Sequence, residues 1–192
     1  PAVTLAMAAK RSFGWGKAGL YIVAQLIGAF LGALAVYLVY RDGLVAAGMP
    51  NVWSTGPGSV FGASFWGAAS SGSTGAYSMA TAFIAEVIGT AVLLWGILGS
   101  GDMKNMGVGG NLGPFIVGGT VLAVGLSLGG PSGYSINPAR DLGPRIFGAL
   151  VGTTGLFDGM YWLLVPVIGP FVGGVLGIFT YDWFITAFLP KK

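Results

Sequence analysis

Residues 132 to 145 read SGYSINPARDLGPR, and this stretch holds the side chains best suited to handling a polar solute. Asn137 is a strong helix N-cap, because its side-chain oxygen accepts from the free N–H groups of a first turn. Pro138 suits the next position, where no N–H is needed. A helix therefore starts at Pro138. With its oxygen engaged, Asn137 keeps an outward amide NH2 donor, and the helix N-terminus adds about half a positive charge at the same spot. Arg140, within the first turn, brings a guanidinium with several donors. Asp141 and Arg145 stand four residues apart, which predicts a pair along one side of the helix.

Such a tip does no more than cap a helix unless it ends inside a membrane, where polar backbone is tolerated only in protein or along a wet cavity. The composition puts it there. Of the 192 residues 54% are hydrophobic and 8% charged, against roughly 25% charged in soluble domains. An arginine in a helix at the membrane centre costs about 2.5 to 3.5 kcal/mol, so Arg140 should face a polar space. The chain has no cysteine and no histidine, which removes thiolate chemistry, disulfides and imidazole metal ligands. Ser127, Ser132 and Ser135 thus lack a base, and neither a carboxylate dyad nor a metal cluster is evident, so no enzyme, cofactor or metal is expected. The net charge of +3 comes from scattered lysines and arginines, without the aromatic-interleaved patch of a nucleic-acid binder. Glu86, in AFIAEVIG, is a second buried charge. It is either a proton relay of a coupled transporter or an acceptor for loop N–H groups.

The elements that must hold these residues follow from lengths. Crossing about 30 Å of hydrocarbon takes about 20 helical residues. Four stretches qualify: 18–40, 78–99, 114–130 and 161–184, the last interrupted by Pro166 and Pro170, which should bend it. Pro1 to Ala9 and Pro138 to Leu150 are helix-like but too short, and are expected to dip in and return as half-helices. A Gly/Ser-rich connection joins the first two spans, and 100–113 form a shorter polar loop. If the spans alternate, Lys10, Arg11, Lys17, Lys104, Lys191 and Lys192 fall on one side, the cytoplasmic one, and Arg41 on the other. Trp15, Tyr161 and Trp183 are expected interface anchors. The pairs Gly28/Gly32 and Gly169/Gly173 are expected to pack within the bundle.

PAVTLA at 1–6 echoes PARDLG at 138–143, and QLIGAFLGALAVYLVY from Gln25 echoes PVIGPFVGGVLGIFTY from Pro166. A half-helix followed by a span occurs twice with an odd number of spans between. The second copy must therefore enter from the opposite face, an inverted repeat of the kind that builds transport sites near the midplane. Two spans precede the second half-helix and none the first, so two spans and an Asn before Pro1 are expected upstream. Two half-helix tips meeting at the midplane would repel cations, and their paired amides would fix a passing water by its oxygen, blocking proton relay.

GYSINPARDLGPRIFG, together with PAVTLA and the inverted repeat, resembles the major intrinsic protein family, the aquaporins and glycerol facilitators, over essentially the whole chain. The resemblance implies an all-α membrane protein: an aquaporin-like inverted-repeat bundle with two re-entrant half-helices, here lacking the first two transmembrane helices. One channel domain would cover 1–192, with 1–41 as the rest of the first repeat, 42–77 as an extracellular connecting loop and 78–192 as the second repeat. It further implies a homotetramer in a cell membrane, expected to be a bacterial inner membrane, with one pore per subunit. Pro1 and Ala2 would belong with Asn137, Pro138 and Ala139 to the pore motif. Gly125, Tyr134 and Arg140 would map onto the selectivity filter, and the carbonyls of Gly133, Tyr134 and Ser135 would form an acceptor ladder. Glu86 would be the structural acceptor. Water-selective members carry histidine where this chain has Gly125, and Asp141 after the arginine resembles the glycerol-conducting branch. Together these imply a passive channel for glycerol and related small neutral solutes, with some water. A strict water channel and a transporter using Glu86 are the alternatives.

Overall fold

A computed structural model of the chain describes residues 1–56, 77–102, 104 and 108–189, and every regular element among them is helical. In chain order these are α1 (Ala2–Ala9), α2 (Trp15–Ala46), α3 (Met79–Gly101), α4 (Gly113–Ser132), α5 (Pro138–Leu150) and α6 (Tyr161–Leu163). A π-helical stretch (Leu164–Ile168), α7 (Gly169–Phe184) and a 3-10 turn (Thr186–Phe188) complete the chain. Among the described residues four segments are long and apolar enough to cross a membrane: α2, α3, α4 and the run Tyr161–Phe188. This is a multi-pass membrane protein.

Local sequence explains most boundaries. Ser78 caps α3 by accepting from the Thr81 N–H at 3.1 Å. Pro114 opens α4, and Gly133 closes it with φ +87, a left-handed conformation that glycine adopts without steric cost. The first span departs from expectation. It runs six residues past Tyr40, carrying Arg41 and Asp42 in the helix, because nothing breaks the pattern before Gly48 turns the chain at φ +75. Residues 42–46 are therefore helix rather than connection. Of the rest of that connection, 49–56 form an ordered segment. Residues 57–76 lie outside the described ones, as do 103, 105–107 and 190–192, the last including Lys191 and Lys192.

The two prolines of the last span produce a π-helical stretch. Pro170 has no N–H to offer the carbonyl of Pro166, so one turn opens. The freed carbonyl accepts from Ser135 Oγ at 3.2 Å. An apparent defect in a helix thereby becomes an anchor for the loop before α5.

α3 lies between α4 and α7. It meets α7 over glycines: a Cβ added at Gly173 would fall 2.3 Å from the Val87 carbonyl oxygen, and one at Gly177 2.7 Å from Ala91 Cα. The pair Gly169/Gly173 packs as expected. Gly28 and Gly32 do not, since among the described residues nothing lies within 4 Å of where their Cβ atoms would be.

The half-helices exchange partners. α5 packs on α2, where Gly143 admits Ala29, and α1 packs chiefly on α7, where a Cβ at Gly174 would stand 3.0 Å from the Ala2 carbonyl oxygen. Each half-helix thus leans on the long helix of the other copy of the repeat. At one end of the bundle Lys10 pairs with Asp182 at 2.6 Å and Tyr181 donates to Asp102 at 3.2 Å. The segment 49–56 meets the α5–α6 connection through Met49 and Thr153, and α5 itself through Thr55 and Asp141.

Candidate channel site

The tip of α5 forms as its sequence dictates. Asn137 Oδ1 accepts from the N–H groups of Ala139 at 3.0 Å and Arg140 at 3.3 Å. Asn137 and Arg140 are exposed, while Pro138 and Ala139 are buried. Both exposed side chains border a cavity of about 530 Å³ between α2 and α5, which Gln25, Gly32, Val36, Val52 and Trp53 also line. Pro144, another lining residue, leaves the Arg140 carbonyl without its intrahelical donor. The cavity is mostly apolar, with Arg140, Asn137 and Gln25 as its polar side chains.

The loop before the tip is held from behind. Glu86 is fully buried, and its two carboxylate oxygens accept from the N–H groups of Ser135 at 2.7 Å and Ile136 at 2.6 Å. Of the two roles open to Glu86, the geometry is that of the loop acceptor. Every peptide bond in the described chain is trans, so each C=O points away from the N–H of the same plane. The carbonyls of Tyr134 and Ser135 therefore face away from Glu86. Tyr134 N–H turns to Ser132 Oγ at 3.3 Å, and the Gly133 carbonyl opposes it. Tyr134 (φ +42) and Ile136 (φ +44) both occupy the left-handed region, which costs a non-glycine residue about 1 to 2 kcal/mol. Glu86 and the Ser135 anchor supply the compensating bonds.

Gly125, Tyr134 and Arg140 come together. The Arg140 guanidinium carbon lies 5.4 Å from the centre of the Tyr134 ring, and a Cβ at Gly125 would stand 3.1 Å from that ring's Cε2. Arg140 alone of the three borders the cavity; Tyr134 and Gly125 form a stack behind it. Pro1 and Ala2 are buried against α7 and do not line it either. Asp141 and Arg145 pair as expected, Oδ1 to Nε at 2.7 Å, fully out of water.

Three features escaped the sequence reading. Gln25 lines the cavity and donates its amide to Thr4 Oγ1 at 2.9 Å, tying α2 to α1. A lone polar residue in the apolar run AQLIGAFLG was the available signal. Trp53 and Thr55 join the site from the connection after α2, with no local motif to mark them. Tyr161 is no lipid-interface anchor: its hydroxyl donates to the Ser132 carbonyl at 3.1 Å and its ring occupies the space a side chain at Gly56 would need. Trp15 and Trp183 remain outward, 61% and 70% exposed.

A family model described as "Major intrinsic protein" matches residues 1–181. The probable glycerol uptake facilitator protein of Thermotoga maritima is 40% identical over 189 residues, covering 95% of this chain and 72% of its own length. The glycerol uptake facilitator protein of Bacillus subtilis is 41% identical over 190 residues, 95% of this chain and 61% of its own. Aquaporin-10 of Homo sapiens is 37% identical over 196 residues, 100% of this chain and 62% of its own. The chain thus spans 61% to 72% of the length of these relatives. Among solved structures, the aquaglyceroporin from Plasmodium falciparum superposes with a TM-score of 0.82 at 30% identity, covering 97% of this chain and 72% of that one.

Proposed function

The chain belongs to the major intrinsic protein family, and from that premise we propose that it is a passive channel for glycerol and related small uncharged solutes, with water as a second permeant. It excludes ions and protons. The observation that carries this reading is the capped α5 tip, whose Asn137 amide and Arg140 guanidinium both border one cavity. A neutral polyol finds donors for its hydroxyls in those two groups and apolar wall for its carbon edge in Val36, Val52 and Trp53. A cation meets a guanidinium and the positive end of a helix in a place with few acceptors.

Selectivity is assigned to Gly125, Tyr134 and Arg140. Glycine at 125 leaves room for the Tyr134 ring, and the ring holds the guanidinium by a cation–π contact. The carbonyls of Gly133, Tyr134 and Ser135 serve as the acceptor ladder, presented by the loop whose N–H groups Glu86 consumes. Pro1 and Ala2 act by seating α1 rather than by touching solute. Support for glycerol over water alone comes from the glycerol facilitators at 40% and 41% identity and from the absence of any histidine to narrow position 125. The assembly that goes with this reading is a homotetramer, with a bacterial inner membrane as its place.

An ion-coupled transporter would need Glu86 free to exchange a proton with solute, and both of its oxygens are committed to loop N–H groups. The family is one of membrane transport proteins, which sets an intramembrane enzyme aside. In proteoliposomes under an osmotic step, glycerol should equilibrate at the same rate with and without proton or sodium gradients. Fast water movement without glycerol would favour the strict water channel, and a gradient requirement would favour the transporter.

A further inference from the structure

We infer that Asp141, Arg145 and Thr55 form a clasp that sets the position of the Val52–Trp53 wall of the cavity, and so sets how large a polyol the channel admits. Asp141 is fully buried and uses both oxygens. Oδ1 accepts from Arg145 Nε at 2.7 Å; Oδ2 accepts from the Thr55 N–H at 2.7 Å and from Thr55 Oγ1 at 2.6 Å. Arg145 completes the ring by donating through Nη2 to the Thr55 carbonyl at 3.2 Å and through Nη1 to the Leu156 carbonyl. Three separate segments are thus locked to one another by a buried ion pair on α5.

The locked segment is the one that borders the cavity. Val52 and Trp53 lie just before Thr55 and line the same space as Asn137 and Arg140. Trp53 is held further: its indole N–H donates to Thr153 Oγ1 at 2.9 Å, and its ring lies over Gly148, where a Cβ would sit 2.3 Å from Trp53 Cδ1. Asp141 and Arg140 are neighbours on one helical turn. The residue that touches solute and the residue that positions the facing segment are therefore placed by the same few peptide units. A wall fixed by charge-assisted, fully buried hydrogen bonds does not yield to a larger solute as an unpinned loop would. Asp141 and Thr55 are positioning residues, acting through Val52 and Trp53.

This inference rests on the channel reading, and the test separates the two. The chain has no cysteine, so Val52→Cys creates a unique thiol on the wall, and its modification rate by a membrane-impermeant methanethiosulfonate reports wall position whether or not solute flows. Thr55→Val and Asp141→Asn in that background should speed modification several-fold. Without the cysteine, the same substitutions should raise the permeability of a four-carbon polyol relative to glycerol by roughly tenfold, the scale on which a pocket discriminates one carbon. Thr55→Ser, which keeps the hydroxyl, should leave both readouts near the parent values. An unchanged modification rate in Thr55→Val, which loses only the hydroxyl bond to Asp141 and so decides the matter even if Asp141→Asn fails to fold, would overturn the clasp. Faster modification with an unchanged polyol ratio would overturn the link to size selection. A parent that passes no polyol at all would sink the channel reading instead, while the thiol measurement still decides the clasp.

Discussion

Glycine at position 125 matters for what it lets its neighbour do. The Tyr134 ring lies against it and reaches under Arg140, so three residues from α4, the loop and α5 act as a stack in which only the last meets the cavity. A side chain at 125 starts 3.1 Å from the ring, so Gly125→His should displace Tyr134 or narrow the space beside it. Glycerol permeability in proteoliposomes should fall by about tenfold or more while water permeability falls much less. Equal losses would remove Gly125 from the filter. Much of this was legible in the sequence. Asn-Pro at a helix start states its own capping geometry, and the pair at 141 and 145 follows from helical spacing alone. The second partner of Asp141 was not legible, because Thr55 lies 86 residues away and the loop that carries it has no local pattern.

At the level of elements, small residues decide which surfaces close. α3 and α7 approach until a Cβ at Gly173 would overlap the Val87 backbone, whereas Gly16 at the start of α2 has nothing within 4 Å. Gly173→Ala should therefore cost about 1 to 3 kcal/mol through overpacking, lowering the thermal midpoint of the detergent-solubilised protein by several degrees. Gly16→Ala should leave it unchanged or raise it slightly, since alanine in an unstrained helix is favoured by about 0.5 to 1 kcal/mol. Equal midpoints for the two variants would contradict the close approach. The four spans and the two half-helices were readable from apolar run lengths, which depend on the bilayer and not on partners, although the first span runs six residues past its expected end. Which glycines pack was not readable: GxxxG occurs in both repeats, yet only Gly169 and Gly173 meet a neighbour among the described residues. The π-helical stretch lay between these cases. Two prolines four apart forecast a broken ladder, but the acceptance of the freed carbonyl by Ser135 required the fold.

At the scale of the whole molecule, each half-helix rests on the spanning helix of the opposite repeat, α5 on α2 and α1 on α7. The echo between residues 1–6 and 138–143 anticipated two equivalent half-helices, but not the exchange, because a repeat in sequence does not say which copies touch. The exchange places the α5 tip beside α2, while the loop before it stays anchored to the π-helical stretch of its own span, and the cavity lies along the seam with α2. On the proposed channel reading, Arg140, which lines that cavity, stands in the path of every permeating molecule. In a chain without cysteine, Arg140→Cys puts the only thiol at that point. A methanethiosulfonate carrying an ammonium group, added to proteoliposomes of this variant, should abolish both glycerol and water flux, and glycerol at high concentration should slow the modification. A thiol that never reacts from water, or one that reacts while both fluxes continue unchanged, would mean that the passage does not run past residue 140.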